Sequence, residues 1–246
     1  MAEMMKELSP EEKWERATLA DSFIFYKVMR HHPDACKELI ELLLGIEVES
    51  VTMTGEETII VAPESKSIRL DVYVKTRDRN FDLEMQVVNT GELPQRSRYY
   101  QGLMDLDSLK KGDFYSDLKE SHVIFICMED VFEKKLPVYT FQYRCDEDGE
   151  ILLGDKTFKH FFIAPRCAKL LKNEEEKAFF ELLIKNRTAS DFALRLHSYI
   201  EEAKLNPQWR HQYMTWEMVK NLAKREGFNA GRNEGLEEGL SLASSM

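Results

Sequence analysis

The chain has 246 residues, 43% hydrophobic and 32% charged, enough for one substantial core or two small ones and unlike a fibrous or wholly disordered polypeptide. Its 34 basic against 44 acidic side chains leave a formal net charge of -10, which excludes a generally basic nucleic-acid coat. No apolar run approaches the ~20 residues of a membrane span, and the opening MAEMMKELSPEEKWER lacks a signal-peptide pattern, so a soluble cytoplasmic protein with no membrane partner is expected.

In chain order, Ser9-Pro10-Glu11-Glu12 sets a capping residue, a proline at the first helical position and a glutamate three places on, the pattern of a capping box. Helix is expected to start there, to continue over 19–30, and to recur from Asp34 to Leu44 with Gly45 as its C-terminal cap. The apolar period then changes from about 3.6 to 2. IEVESVTMT, TIIVA, IRLDVYV and FDLEMQV read as a strand meander separated by turn-forming residues. LPQRSRYYQGLMDLDSLKKG follows as an amphipathic crossover helix presenting Tyr99, Leu103 and Leu106, with Gly112 closing it. HVIFICM is a buried strand, further strands are expected over 137–144 and 157–164, and three helices lie between 174 and 227.

Gly227, Gly231, Gly235 and Gly239 recur every fourth residue near the end. At about 1 kcal/mol per helical glycine, this segment reads as a frayed tail, with a close-packed helix partner as the sharper alternative. The organisation expected is an N-terminal helical arm over 1–18, a core over 19–170, a helical C-terminal region over 171–227 and a flexible Gly/Glu-rich tail over 228–246. Helices flanking one mixed sheet make the class α/β or α+β.

Residues 61–119 hold equal numbers of basic and acidic side chains, so this stretch is neutral within an acidic chain. It also carries the most suggestive chemistry. Alternation puts Ile68, Leu70, Val72 and Val74 on one strand face and Arg69, Asp71 and Tyr73 on the other. On the next strand Phe81, Leu83, Met85 and Val87 are the apolar set, and Asp82, Glu84 and Gln86 the polar one. A hairpin turning about Arg77-Asp78 would set position 71 opposite 84 and position 69 opposite 86.

Opposed carboxylates on one sheet face repel. A shared proton, an intervening arginine such as Arg69, or a divalent cation would relieve them, and a solvated outer face is the plain alternative. Oxygen ligands with open positions suit Mg²⁺ or Mn²⁺, either of which polarises a phosphoryl oxygen and activates water. Elsewhere the signals are weaker. His31-His32 complements a helix C-terminus, and Trp209, Tyr213 and Trp216 read as a packed helical face. The four cysteines, Cys36, Cys127, Cys145 and Cys167, lie far apart without a C-x-x-C pair and read as reduced thiols. No Walker loop, G-x-S-x-G or H-E-x-x-H occurs, and nothing calls for an organic cofactor.

Asp71, twelve intervening residues, then Glu84-Met85-Gln86 resembles the PD-(D/E)XK nuclease superfamily, in its recombination-promoting nuclease and transposase branch, where glutamine replaces the usual lysine. Further landmarks follow in order: Arg69-Leu-Asp71-Val-Tyr73, the segment from Leu93 to Gln101, Leu109 to Tyr115, Val123 to Ile126, and Tyr213-Met214. Together they span roughly residues 18 to 240.

The resemblance implies a restriction-endonuclease-like core with a helical C-terminal region, cleaving DNA phosphodiesters with Mg²⁺ or Mn²⁺. Asp71 and Glu84 would ligate the metal, with the Met85 backbone carbonyl as a third ligand and Gln86 in the lysine position. Lysine would supply positive charge near the attacking water, whereas glutamine orients only through its amide. Asp21 resembles an additional metal acid of many relatives, and equally reads as a helix N-cap. Arg69, Arg96, Arg98, Tyr100, Gln101, Lys110 and Lys111 are the candidate DNA contacts, with ordinary solvated surface as the alternative for the basic residues. Cutting both strands takes two active sites, which suggests a homodimer. The competing reading is a nuclease-fold protein that no longer cleaves and binds DNA or a protein partner, in keeping with the net acidity.

Overall fold

The computed structural model describes residues 8–53, 58–59, 68–69 and 72–244, with side chains over 8–53 and 72–232. The elements in chain order begin with helices α1 (Pro10–Arg16), α2 (Ser22–His31) and α3 (Pro33–Leu44). Five strands follow: β1 (Thr52–Met53), β2 (Thr58–Ile59), β3 (Ile68–Arg69), β4 (Val72–Lys75) and β5 (Arg79–Gln86). Helix α4 (Leu93–Ser108) leads to β6 (Glu120–Cys127), β7 (Val138–Phe141) and β8 (Thr157–Ile163). Helices α5 (Ala164–Leu170), α6 (Glu174–Lys185), α7 (Asp191–Leu205) and α8 (Pro207–Ser244) complete the described chain.

The chain divides into two units, Thr18–Glu201, and Met1–Ala17 with Glu202–Met246. In the larger, a mixed six-stranded sheet has the order β1-β4-β5-β6-β8-β7, while β2 and β3 form a separate antiparallel ribbon. β5, β6 and β8 run parallel; β1, β4 and β7 are antiparallel to their neighbours. A parallel pair cannot be joined by a tight turn, so α4 carries the chain from β5 to β6 across the sheet. This is the α/β architecture of the restriction-endonuclease-like fold.

Both sheet faces are covered. On one, Val74, Phe81, Leu83, Ile124 and Ile126 are buried, α2 packs on β4 and β5, and Phe180 of α6 stacks on Phe162 of β8. On the other, Tyr73, Val123, Phe125, Phe161 and Ile163 pack with Leu93, Tyr100 and Met104 of α4. Gly45 caps α3 at φ +65°, a left-handed conformation that a Cβ would strain, and Asn186 caps α6 at φ +52°.

The stripe that α4 buries differs from the expected one. Leu93, Ser97, Tyr100, Gln101, Leu103 and Met104 are inward, whereas Tyr99 and Leu106 are exposed. The helix covers strands that carry polar side chains, so its inner stripe is itself partly polar and apolar periodicity misplaces it. The early strands are also shorter than expected: residues 46–51 are not strand, and only Thr52–Met53 pairs with β4. The remainder of the TIIVA run lies outside the described residues.

In the smaller unit the capping box forms. The Ser9 hydroxyl accepts from Glu12 N at 3.2 Å, and the Glu12 carboxylate accepts from Ser9 N at 2.8 Å. Trp14 of α1 is buried against Tyr213 of α8 with centroids 5.2 Å apart, and Lys13 forms an ion pair with the buried Glu217. Residues expected to form a flexible tail continue α8 as helix to Ser244. Among the described residues no helix is long and apolar enough to cross a membrane.

Candidate active site

β5 alternates as the sequence predicts, but its residues between Arg79 and Gln86 are buried on both faces. Asp82 is 0% and Glu84 3% exposed, with Asn80 buried beside them. The β4–β5 ladder pairs Val72 with Leu83 and Tyr73 with Asp82, the register expected for a turn at Arg77-Asp78. Burying an ionised carboxylate costs several kcal/mol unless it is paired, so a solvated outer face is ruled out for these acids.

The arginine that answers Glu84 comes from α4. Arg96 Nη2–H donates to Glu84 Oε2 at 3.2 Å and to the Tyr100 hydroxyl at 2.8 Å; Nη1–H donates to Gln86 Oε1 at 2.7 Å. Its guanidinium also lies over the rings of Tyr100 and Phe125, 5.4 and 5.6 Å from their centroids. One planar cation thus holds a carboxylate, an amide and a phenol together, a task suited to the fork of an arginine. Gln86 donates in turn to the Val88 carbonyl, so both ends of its amide are directed. Burial, reinforced by the charge of Glu84, pushes the Tyr100 phenol well above its ordinary range against the opposing pull of Arg96.

Glu84 and Gln86 stand at the C-terminal end of β5 beside parallel β6, where open α/β sheets place their ligand crevices. Burial pushes the thiol of Cys127, opposite Gln86, up to about 12, which keeps it protonated at neutral pH.

Over residues 32–186 the sequence matches the family described as PD-(D/E)XK nuclease family transposase. The chain belongs to that family. No curated protein and no solved structure matches it.

Within this family member, α4 and β5 bring Glu84, Gln86, Arg96 and Tyr100 together. Asp71 is outside the described residues, while Met85 is buried in β5 between Glu84 and Gln86. Arg69 pairs with Thr58 in the β2–β3 ribbon, and among the described residues the β4–β5 ladder starts at Val72. Asp21 caps α2, its Oδ1 accepting from Phe23 N at 3.0 Å and Ile24 N at 3.2 Å. Gln101 is buried and donates to the Ser121 carbonyl at 3.2 Å, anchoring α4 to the start of β6. Arg98 is exposed on α4, and Lys110 and Lys111 are exposed beyond its end. Roughly 18 Å of helix separates Arg96 from Ser108, where α4 stops.

Sequence reasoning named Asp82 as polar-facing and missed what lies around it. Tyr73 donates to Asp107 Oδ2 at 3.0 Å, and Lys75 Nζ lies 2.6 Å from the same oxygen. Asn80 donates to the Ser108 hydroxyl. Buried Asn80 Oδ1 and Gln101 Oε1 have no hydrogen-bond partner among the described residues. Four polar residues at alternate positions, Asn80 to Gln86, were the available signal.

The donors present are hard oxygens, the type Mg²⁺ and Mn²⁺ prefer. Among the described residues no group of three or more His, Cys, Asp and Glu is arranged to hold a metal. Glu84 with its neighbouring backbone carbonyl fits such an ion in donor chemistry.

Proposed function

We propose that this chain is a metal-dependent endonuclease that hydrolyses DNA phosphodiester bonds during recombination or transposition. The observation that carries the reading is the cluster of buried Glu84 with half-buried Arg96 and Gln86 at the end of β5, within a chain of a nuclease-family transposase. Glu84, Asp71 and the Met85 carbonyl would hold Mg²⁺ or Mn²⁺. When bound, the ion would polarise the phosphoryl oxygen and lower the pKa of water.

The protein's own groups have separate tasks. Gln86 orients the attacking water through its amide. Arg96, 2.7 Å from Gln86 Oε1, brings from α4 the positive charge that lysine would carry at position 86. The Arg96 guanidinium pairs with Glu84 at 3.2 Å, and a cation held by Glu84 would supply that carboxylate with a second counter-charge, which would leave Arg96 able to contact a phosphate. Arg98 is the nearest exposed cation on the same helix for a flanking phosphate.

The second reading, a non-cleaving binding module, is favoured by one observation: Glu84 already has its counter-ion within the protein. Nicking of supercoiled plasmid by wild type and Glu84→Ala, in Mg²⁺, Mn²⁺, Ca²⁺ and EDTA, separates the two. Cleavage in Mg²⁺ or Mn²⁺, absent in EDTA and in the variant, supports the nuclease. Equal inertness of both proteins on duplex and single-stranded DNA leaves the binding module.

A further inference from the structure

A cavity of about 290 Å³ opens beside α4, on the same sheet face as Glu84, and nothing in the hydrolytic cluster uses it. Its wall is aromatic. Phe132, Phe141 and Phe161 form a corner of rings with centroids 5.0 to 5.8 Å apart, two of the three pairs nearly edge-on. Tyr143 extends the wall, with the Lys159 ammonium 5.1 Å from its ring centroid. Phe141 and Tyr143 remain 42% and 50% exposed even though neighbouring rings pack the corner behind them. Arg98 closes the α4 side.

The register places this corner relative to the candidate site. Glu84 is opposite Phe125, and Phe125 is opposite Phe161, so the cavity lies two strands from Glu84. At about 4.8 Å per strand that is roughly 10 Å, a distance one or two nucleotides of a splayed strand can span. α4 serves both places, giving Arg96 to the cluster and Ser97 and Arg98 to the cavity.

We propose that this cavity takes one unstacked base of a single-stranded DNA segment adjoining the bond to be cut; the assignment rests on the nuclease reading above. A base in duplex has both faces covered by its neighbours, whereas an unpaired one offers its face to aromatic rings and arginine. The volume lies at the lower limit of small-ligand pockets, enough for one ring system and not for an extended ligand. Recognition is by stacking more than by phosphate. The charge of Lys159 is partly answered by Asp105 and Asp155, which leaves the backbone contact to Arg98 among the described cations of the rim. Gln142 on the rim presents an amide that can pair with a base edge.

The test is binding, measured by fluorescence anisotropy in EDTA so that turnover does not interfere. The probes are a labelled single-stranded oligonucleotide, its duplex, and a series in which one abasic site is moved along the single strand. Wild type should bind the single strand more tightly than the duplex, and one abasic position should cost about tenfold. In Tyr143→Ala that positional penalty should vanish, and Tyr143→Trp, which keeps a stacking surface, should restore it. Equal affinity for single strand and duplex overturns the proposal, as does a penalty that survives Tyr143→Ala. Should the alanine variant fail to fold, a folded Tyr143→Leu takes its place: loss of the positional penalty there, with its retention in Tyr143→Trp, supports the proposal, and its persistence overturns it. Cleavage in Mg²⁺ is scored on the same strands. Base-dependent binding without cleavage in any metal overturns the nuclease reading and leaves the cavity assignment standing; cleavage without base dependence does the reverse.

Discussion

The two faces of the sheet both bury polar side chains, and they do it in opposite ways. Under α2 and α6, Thr140, His160, His122 and Glu120 form a continuous chain with links of 3.2, 3.1 and 2.9 Å, and Arg79 Nε donates to Glu120 at 3.0 Å. One proton per link satisfies every member: Thr140 O–H donates to His160, His160 N–H to His122, and His122 N–H to Glu120. Burial lowers the pKa of both imidazoles, more than Glu120 raises that of His122, so a neutral imidazole donates to the Glu120 carboxylate, whose counter-charge is Arg79. Phe81 and Phe158 stack on His122 from either side. Under α4, by contrast, acids and amides are buried together. Glu84 pairs with a guanidinium supplied from another element, and amide oxygens of Asn80 and Gln101 lack hydrogen-bond partners among the described residues. A closed chain of neutral imidazoles, with its one carboxylate paired at the end, is what structure alone requires. Buried charge held by a replaceable partner is what a functional site carries.

If that contrast is right, the largest effect belongs to Glu84. Glu84→Gln keeps the shape and removes the charge, and should lower Mg²⁺-dependent nicking by about a hundredfold or more while the protein stays folded. Nicking at the wild-type rate would place both faces in the same structural category. Arg96→Met comes next. Stranding a buried carboxylate typically costs 3–5 kcal/mol, so the variant should unfold at lower urea in EDTA by about that much. Mg²⁺ should return part of the loss in Arg96→Met but not in the Arg96→Met, Glu84→Gln double variant. Absence of any such recovery would argue that no cation takes the place of Arg96 at Glu84.

How much of this contrast is legible in the sequence depends on range. Alternation along β5 and the turn at Arg77-Asp78 are local, and they fix both the register and the polar set of Asp82, Glu84 and Gln86. Whether that set meets solvent is decided by α4, whose inner stripe is disguised by Ser97, Tyr100 and Gln101. That Arg96 of α4 pairs with Glu84 follows from a crossover that strand pairing cannot reveal. His122 and His160 are 38 residues apart in neighbouring parallel strands, and no short-range pattern announces them as a pair. The aromatic cavity has the same origin, since β7, β8 and the loop before β7 meet only in the fold.

The histidine chain should show itself in acid. The unfolded chain takes up protons near the ordinary histidine pKa of 6.5, whereas His160 in the fold, desolvated and facing His122, is held down to about 3. Stability is therefore complete above roughly pH 6.5 and falls as the pH drops through the window toward 3, because only the unfolded state gains the proton. By pH 4 the loss is on the order of 3 kcal/mol. Urea midpoints measured across this range for wild type and His160→Gln should converge as the pH falls. A parallel displacement of the two curves would mean that the imidazole is protonated without cost, and the neutral chain would have to be abandoned.

The smallest effect separates the periphery of the α4 face from its centre. Tyr73 donates to Asp107, but Lys75 also holds that carboxylate at 2.6 Å and lies 5.1 Å from the Tyr73 ring centroid, so Asp107 keeps a partner when the hydroxyl is removed. Tyr73→Phe should cost about 1 kcal/mol of stability, the net worth of one hydrogen bond. Burial and the adjacent Asp107 keep the Tyr73 phenol protonated far above neutral pH, so it has no acid-base part to lose. Plasmid nicking should accordingly remain at the wild-type rate. A marked fall in nicking with unchanged stability would extend the functional region from Glu84 on β5 to Tyr73 on β4, and the boundary between the centre at Glu84 and its structural surround would move with it.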